Sequence, residues 1–272
     1  SSDKVSGRIR GLHLTIFNAG FLVGPFLSTR ILERFQFHGI FMFIYAIGVA
    51  ILLLGIVGLR DVVQKFNKKL KVGSLLRKAW RRNDVARIYY ISFALEVFFA
   101  LMVIYTPIYL LDLGMSWEKI GYMFTVMLIP FVIVQYPAGV LADKKMGERK
   151  LLIFSLILMS SSTLIIYFTT SSSVAVWMVL LFLTRIGAAL VEILRDSYFY
   201  KRIDGRDGDL IDFFRTAMPV GYIVATGISS VLLLFFTLKA IFIFVAFVTI
   251  SAVYPAYKLV EDQKKTRTKV KL

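Results

Sequence analysis

Three ionisable side chains stand inside long apolar stretches of this sequence: Glu96, Arg185 and Glu192. A charge at membrane depth is costly, and where one is kept it usually serves function. A carboxylate in such a setting can bind a proton or a cationic group, and a nearby arginine tunes that equilibrium. Asn18 and Gln135 could complete a polar cavity, although each is also typical of a hydrogen bond between helices. We predict a substrate and proton pathway built from these five residues.

A structural ion pair is the alternative explanation for the acidic residues. Glu192 follows Arg185 by seven residues, which places both on one helical face, and Arg195 follows Glu192 by three. Either arginine could pair with Glu192 and hold helices together, and we favour that interpretation for Glu192. Glu96 has no such partner on its own helix, so for Glu96 we favour proton or substrate binding.

The composition indicates a protein whose solvent is lipid. Hydrophobic residues make up 58% of the 272 residues, charged residues 18%, and the mean hydropathy is +0.73. Ordinary soluble domains are about 45–50% apolar. The chain has no cysteine and only two histidines, which disfavours a disulfide framework or a histidine-built metal site. No phosphate-binding loop, metal-ligand spacing or nucleophile with its base occurs, so we predict no enzyme activity.

Apolar runs of about 20 residues, the length that crosses a bilayer, recur along the chain. Proline inside such a run removes a backbone hydrogen bond, so we expect helix breaks at Pro107, Pro130, Pro137 and Pro219. The predicted fold class is an all-α, polytopic transmembrane bundle. Its spans number about eight: 11–30, 38–59, 88–111, 119–142, 151–170, 174–199, 211–236 and 238–258.

The net charge of +16 comes mainly from basic residues in the segments between spans. These residues occupy alternate connections, so the positive-inside rule places both termini in the cytoplasm of a multi-pass cell-membrane protein. The lipid bilayer is therefore the predicted partner, and nucleic acid is not. The long basic segment 61–87 is partly amphipathic, so it could lie along the anionic inner leaflet. It could equally serve as a solvated linker between two halves.

Residues 139–150 read GVLADKKMGERK. This segment resembles the loop motif G-x-L-x-D-r-x-G-r-k of the major facilitator superfamily of transporters. One extra residue separates the aspartate from the second glycine, which leaves open the base that pairs with the aspartate. An ordinary positive-inside loop is the alternative. The resemblance implies a conformational latch, with close helix approach at the first glycine and a tight turn at the second, made of Gly139, Asp143, Lys144, Gly147, Arg149 and Lys150.

The position of this motif after the fourth predicted span implies a register within the family. Spans one to eight correspond to family helices five to twelve, so four helices of the same parent chain are expected to precede residue 1. The chain then divides into the last two helices of the N-terminal half (1–60), a central loop (61–87), the six-helix C-terminal half (88–260) and a basic tail (261–272). We expect this chain alone not to transport.

Small residues in the first span carry a second resemblance. Gly11, Gly20, Gly24 and Pro25 match most of the fifth-helix motif of drug–proton antiporters, g-x8-G-x3-G-P-x2-G-G. Glycines one turn apart let helices pack closely, and proline bends the helix. Generic helix packing is the alternative explanation.

The resemblance implies a secondary transporter of small molecules that works by alternating access. The antiporter-like motif favours proton-coupled efflux, with an ion gradient and no organic cofactor. Uptake of a sugar, organic acid or peptide is one alternative. A non-transporting membrane scaffold or lipid-handling bundle is another.

Overall fold

A computed structural model of the chain describes residues 3–58, 72–142, 147–203 and 207–260, and every regular element in them is helical. The predicted all-α class is confirmed. Seven of the described helical stretches are long and apolar enough to cross a membrane. The elements are α1 (Asp3–Gly58), α2 (Val72–Arg81), α3 (Asn83–Asp112), α4 (Trp117–Met127), α5 (Ile129–Ile133), α6 (Gln135–Leu141), α7 (Glu148–Phe168), α8 (Val174–Arg202), α9 (Gly208–Arg215), α10 (Ala217–Phe235), α11 (Ala240–Ser251) and α12 (Val253–Tyr257).

The first two predicted spans fall within α1, which is interrupted at Gln36. This residue has φ of 54° and ψ of −158°, outside the helical region. A positive φ is unfavourable for a residue other than glycine, so it marks a true break between two helical parts. The connection predicted between residues 30 and 38 therefore contracts to a single non-helical residue.

Proline sets most of the other breaks. Proline cannot donate the helical hydrogen bond and its ring crowds the preceding turn. Pro107 is an exception, because α3 continues through it and the break predicted there is wrong. Four interruptions lie two or three residues before a proline: Leu128 before Pro130, Val134 before Pro137, Thr216 before Pro219 and Ala252 before Pro255.

The core of the bundle is formed around α3 and α8. Leu95 and Phe98 of α3 and Leu181 and Leu194 of α8 are fully buried. Apolar side chains give little drive for helix association in lipid, so close backbone approach matters more. Gly187 of α8 provides such an approach, since a Cβ added there would lie 2.7–2.8 Å from the Cβ, Cα and N of Met159 on α7.

Replacing Gly187 by alanine is expected to destabilise the bundle by about 1–3 kcal/mol, because α7 must shift to admit the new methyl group. Denaturation in mixed micelles would measure the change in free energy of unfolding. Gly227→Ala is the matched control, because a Cβ at Gly227 meets nothing within 4 Å. Equal stability of the two variants would contradict the packing described for α7 and α8.

α1 meets the rest of the described chain mainly through α4. Thr29 packs directly against Gly121, and the backbone N–H of Glu118 donates to Oε1 of Glu33 at 2.8 Å. Beyond Gln36, residues 41–54 expose their side chains. Within the described chain, α1 is thus attached along one edge to the helices that begin at α3.

Residues 258–260, which follow α12, are held by side chains from three other helices. Arg87 of α3 donates from Nη1 to a carbonyl of this segment at 2.7 Å, and Arg149 of α7 donates at 3.4 Å. Arg202 and Tyr198 of α8 donate to the carbonyl of Val260. The ends of α3, α7, α8 and α12 therefore meet on one side of the bundle, which also carries α2 and which we call the basic side.

Candidate functional site

Glu96 lies midway along α3 and forms a buried ion pair with Arg195 of α8. Arg195 Nη1 lies 3.0 Å from Glu96 Oε1, and the two side chains are only 11% and 8% exposed. A Cβ added at Gly221 of α10 would lie 2.7 Å from the Cβ of Glu96, so the backbone of α10 packs against the first carbon of the Glu96 side chain. The sequence offered no partner for Glu96 on its own helix, and the structure supplies one from another helix.

Glu192 lies one turn before Arg195 on α8, but its hydrogen-bond partner is an amide. Gln135 of α6 donates from Nε2 to Glu192 Oε2 at 2.9 Å. Both ion pairs considered for Glu192, with Arg185 and with Arg195, are wrong within the described residues. The physical reason is direction: Arg195 reaches across to α3, while Arg185 points into aromatic side chains.

Arg195 is the centre of this cluster, which we call the carboxylate cluster and define as Glu96, Gln135, Glu192, Arg195 and Asp196. Its Nε lies 3.4 Å from Asp196 Oδ1, and its charge also acts on Glu192. Three carboxylates thus surround one guanidinium within the span Val174–Arg202 and its neighbours. In the sequence, Arg195 stands out only as a possible ion-pair partner of Glu192. The placement of Glu96, Glu192 and Asp196 within membrane-length helices was a signal that could have pointed to a shared cation.

Arg185 lies apart from the carboxylate cluster, nearer the middle of α8. Its side chain is 2% exposed, and its Nε and Nη1 have no hydrogen-bond partner among the described residues. The guanidinium carbon stands 5.0 Å from the ring centre of Phe98 and 5.8 Å from that of Phe99. The cation–π contacts offset only part of the free-energy cost of removing the guanidinium from water.

The predicted latch motif is only partly described. Asp143 and Lys144 lie outside the described residues. Gly147 has φ of 75°, the left-handed conformation that the expected turn requires. Close helix approach at Gly139 was wrong for the described chain, because a Cβ there would meet nothing within 4 Å.

The basic residues of the motif have different surroundings. Arg149 donates to the carbonyl of Leu259 and stacks 5.5 Å from the ring centre of Tyr257, so a backbone carbonyl and a ring are its partners. Lys150 is exposed. In the described chain, Arg149 therefore fixes the segment after α12.

The fifth-helix-like motif lies in α1. Of Gly11 and Asn18 only the helical backbone is described, so the predicted pathway role of Asn18 falls outside the described side chains. Added Cβ atoms at Gly20 and Gly24 would meet nothing within 4 Å, which leaves their predicted packing face without a described neighbour. Pro25 lies inside the helix, and its carbonyl accepts a hydrogen bond from Thr29 Oγ1 at 2.9 Å.

A second charged cluster joins the end of α2 to the start of α9. Lys78 Nζ lies 3.0 Å from Asp207 Oδ1 and 2.9 Å from Asp209 Oδ1, and Arg82 Nη1 lies 2.6 Å from Asp207 Oδ2. Hydrogen bonds from Lys78 and Arg82 lower the pKa of Asp207, and those to Asp209 and Asp207 raise the pKa of Lys78. The part of segment 61–87 that forms α2 is therefore docked on the bundle, although Trp80 remains 68% exposed.

Docking of α2 is expected to be insensitive to pH between about 4 and 10. The lowered pKa of Asp207 means that its contribution is complete above its ordinary value of 3.8 and is lost as pH falls through the lowered pKa. Lys78 contributes fully below 10.5 and loses its contribution as pH rises through the raised pKa. Asp207→Asn should instead release α2 at neutral pH.

The chain has no cysteine, so a single introduced thiol can report this release. Ala79 lies on the buried face of α2, so Ala79→Cys is the reporter. Trp80 is exposed, so Trp80→Cys is the control. Asp207→Asn should raise labelling at position 79 roughly fivefold, as expected for exposed ion pairs worth about 1 kcal/mol, and leave position 80 unchanged. Labelling at position 79 that is already complete in the parent sequence would contradict docking.

Comparisons with known proteins agree on the family and the fold. The family model described as Major Facilitator Superfamily matches residues 112–271. No curated protein matches the sequence. The crystal structure of a bacterial homologue of the iron transporter ferroportin, in its inward-facing state, is similar with a TM-score of 0.66 and 16% identity. The similarity covers 95% of this chain and 63% of that one.

Proposed function

Because the chain belongs to the Major Facilitator Superfamily, whose members are carriers and not enzymes, we propose that it forms most of a proton-coupled exporter of small molecules. The chain spans 63% of the length of the similar carrier. We propose that four further helices of the same parent chain complete the transport path, and we call that complete protein the full transporter. The basic side then lies at the cytoplasmic face of the cell membrane, in keeping with the positive-inside rule.

The carboxylate cluster is the observation that carries proton coupling. Glu96 takes Arg195 as its counter-ion, while the hydrogen-bond partner of Glu192 among the described residues is the neutral amide of Gln135. A carboxylate without an ion pair at membrane depth is costly as an anion, and a bound proton removes that charge. Glu192 is therefore our proposed proton carrier.

Arg195 supplies the coupling step of this proposal. When Glu192 loses its proton, Glu96 and Glu192 compete for one guanidinium, and the charge of Arg195 already acts on both. Exchange of Arg195 between them would move α8 relative to α3, the two helices at the centre of the bundle. Alternating access needs such a two-state element whose balance depends on the bound ion.

The test is a proton-movement assay on the full transporter in everted vesicles that contain a pH-sensitive dye. Lipophilic cations, neutral drugs, organic anions and ferrous ion would each be added in turn. Wild type should release protons with at least one substrate, and Glu192→Gln should not, because glutamine cannot carry a proton.

Glu118→Gln is the matched control, since Glu118 is exposed at the start of α4. Loss of proton release in both variants would implicate expression and not the carrier. Proton release that persists in Glu192→Gln would remove Glu192 from coupling. No proton release in wild type with any substrate would overturn proton-coupled export.

Uptake of an organic acid is the second candidate function, and Arg185 favours it. A buried guanidinium without a counter-ion suits an anionic substrate better than a cationic one. The direction of substrate transport distinguishes the two functions. An exporter accumulates substrate in everted vesicles, whereas an uptake carrier accumulates it in right-side-out vesicles.

A further inference from the structure

Arg185 is a cation held inside the membrane, and no described residue neutralises it. It follows the start of α8 at Val174 by eleven residues, about 17 Å along the helix, which is near the middle of a hydrocarbon core of about 30 Å. Its side chain is 2% exposed. Buried arginines are normally paired or fully hydrogen-bonded, because each open N–H group costs free energy.

The described neighbours of Arg185 do not supply these hydrogen-bond and ion-pair partners. Nε and Nη1 make no hydrogen bond, and no described carboxylate forms an ion pair with the side chain. The acidic side chains within α3 and the middle of α8 have other partners: Glu96 pairs with Arg195, and Glu192 accepts a hydrogen bond from Gln135. Tyr222 of α10 is close enough to interact with the guanidinium electrostatically, but its phenol is neutral.

Aromatic rings supply the remaining surroundings. Phe98 and Phe99 lie 5.0 and 5.8 Å from the guanidinium, and Phe131 lies 6.0 Å from Phe99. Apolar walls with one convergent charged group are the usual form of a small-molecule site. A single planar guanidinium matches the charge and geometry of one carboxylate.

We propose that Arg185 binds the carboxylate of an organic-anion substrate, with the rings of Phe98 and Phe99 beside its apolar part. This inference rests on the proposed function in that it names the substrate class of the same carrier. The missing hydrogen bonds of Nε and Nη1 are then supplied by the substrate. A cationic substrate is excluded from this position by repulsion.

Binding of benzoate to this chain in lipid nanodiscs tests the proposal, with benzamide and phenyltrimethylammonium as neutral and cationic analogues. Isothermal titration should detect benzoate and neither analogue. Arg185→Gln should weaken benzoate binding by about tenfold or more, the loss expected for a charge-assisted hydrogen bond. Arg185→Lys should bind with intermediate affinity, because it keeps the charge and loses the planar fork.

Thermal unfolding without ligand separates a binding role from a structural one. An unpartnered buried charge destabilises the free protein, so Arg185→Gln should keep or raise Tm. Arg30→Gln is the control, because Arg30 also stands over a ring, that of Phe26 at 4.4 Å, but is exposed. A lower Tm in Arg185→Gln together with unchanged benzoate binding would overturn the proposal.

The outcome is independent of proton coupling. Benzoate binding that depends on Arg185, with no proton release in vesicles, would keep this site and overturn proton-coupled export. Proton release driven only by cations, with no benzoate binding, would keep the exporter and overturn this site.

Discussion

Replacing Arg195 by glutamine is expected to lower the free energy of unfolding by about 3–5 kcal/mol, the usual consequence of leaving one member of a buried ion pair alone. Glu96 would then remain as a buried carboxylate beside Glu192 and Asp196, with no cation at ion-pair distance. Denaturation of purified protein in mixed micelles would measure the loss. Few other single substitutions in the described chain remove so much compensating charge.

The double variant Glu96→Gln with Arg195→Gln is the decisive companion, because it removes both charges. We expect it to recover most of the stability lost in Arg195→Gln, since two neutral amides can hydrogen-bond where the ion pair stood. Arg77→Gln serves as the exposed control and should change stability by no more than about 0.5 kcal/mol. A double variant as unstable as Arg195→Gln alone would mean that the arginine acts through contacts other than Glu96.

Replacing Glu96 by glutamine is expected to reduce substrate-driven proton movement in the full transporter on the order of a hundredfold, the loss expected when proton transfer at Glu192 is blocked. In the proposed cycle Glu96 receives Arg195 whenever Glu192 is protonated. A neutral glutamine cannot hold the guanidinium, so Arg195 would stay with Glu192 and proton binding would be blocked. Dye-loaded vesicles would report the rate.

Glu96→Gln also removes one charge of a buried pair, so the rate must be expressed per folded transporter. Glu96→Asp is the matched variant, because it keeps the carboxylate and shortens its reach. Partial activity in Glu96→Asp with none in Glu96→Gln would assign the effect to charge. Normal proton movement in Glu96→Gln would restrict the role of Glu96 to holding α3 against α8.

Hydropathy was sufficient to locate the membrane-length helices, because the bilayer dictates span length. It could not pair Glu96 with Arg195, since the vertical register of α3 against α8 depends on packing across the whole bundle. Same-helix spacing suggested Glu192 as the ion-pair partner of Arg185 or Arg195. Side-chain direction decided otherwise.

The charged cluster of Lys78, Asp207 and Asp209 was beyond sequence analysis for a similar reason. Lys78 is separated from Asp207 and Asp209 by more than 120 residues and meets them only because α2 folds back onto the bundle. The proline breaks were more accessible to prediction, because the lost hydrogen bond is local. Pro107 shows the limit of that rule, since α3 tolerates it without interruption.

Residues 258–260 have a consequence for biogenesis. Arg87, Arg149 and Arg202 emerge from the ribosome long before the carbonyls that they bind. The contacts that hold residues 258–260 can therefore form only after α3, α7 and α8 have all been translated, although these helices can already pack against one another. Fastening of this segment is thus among the last steps in assembly of the described chain.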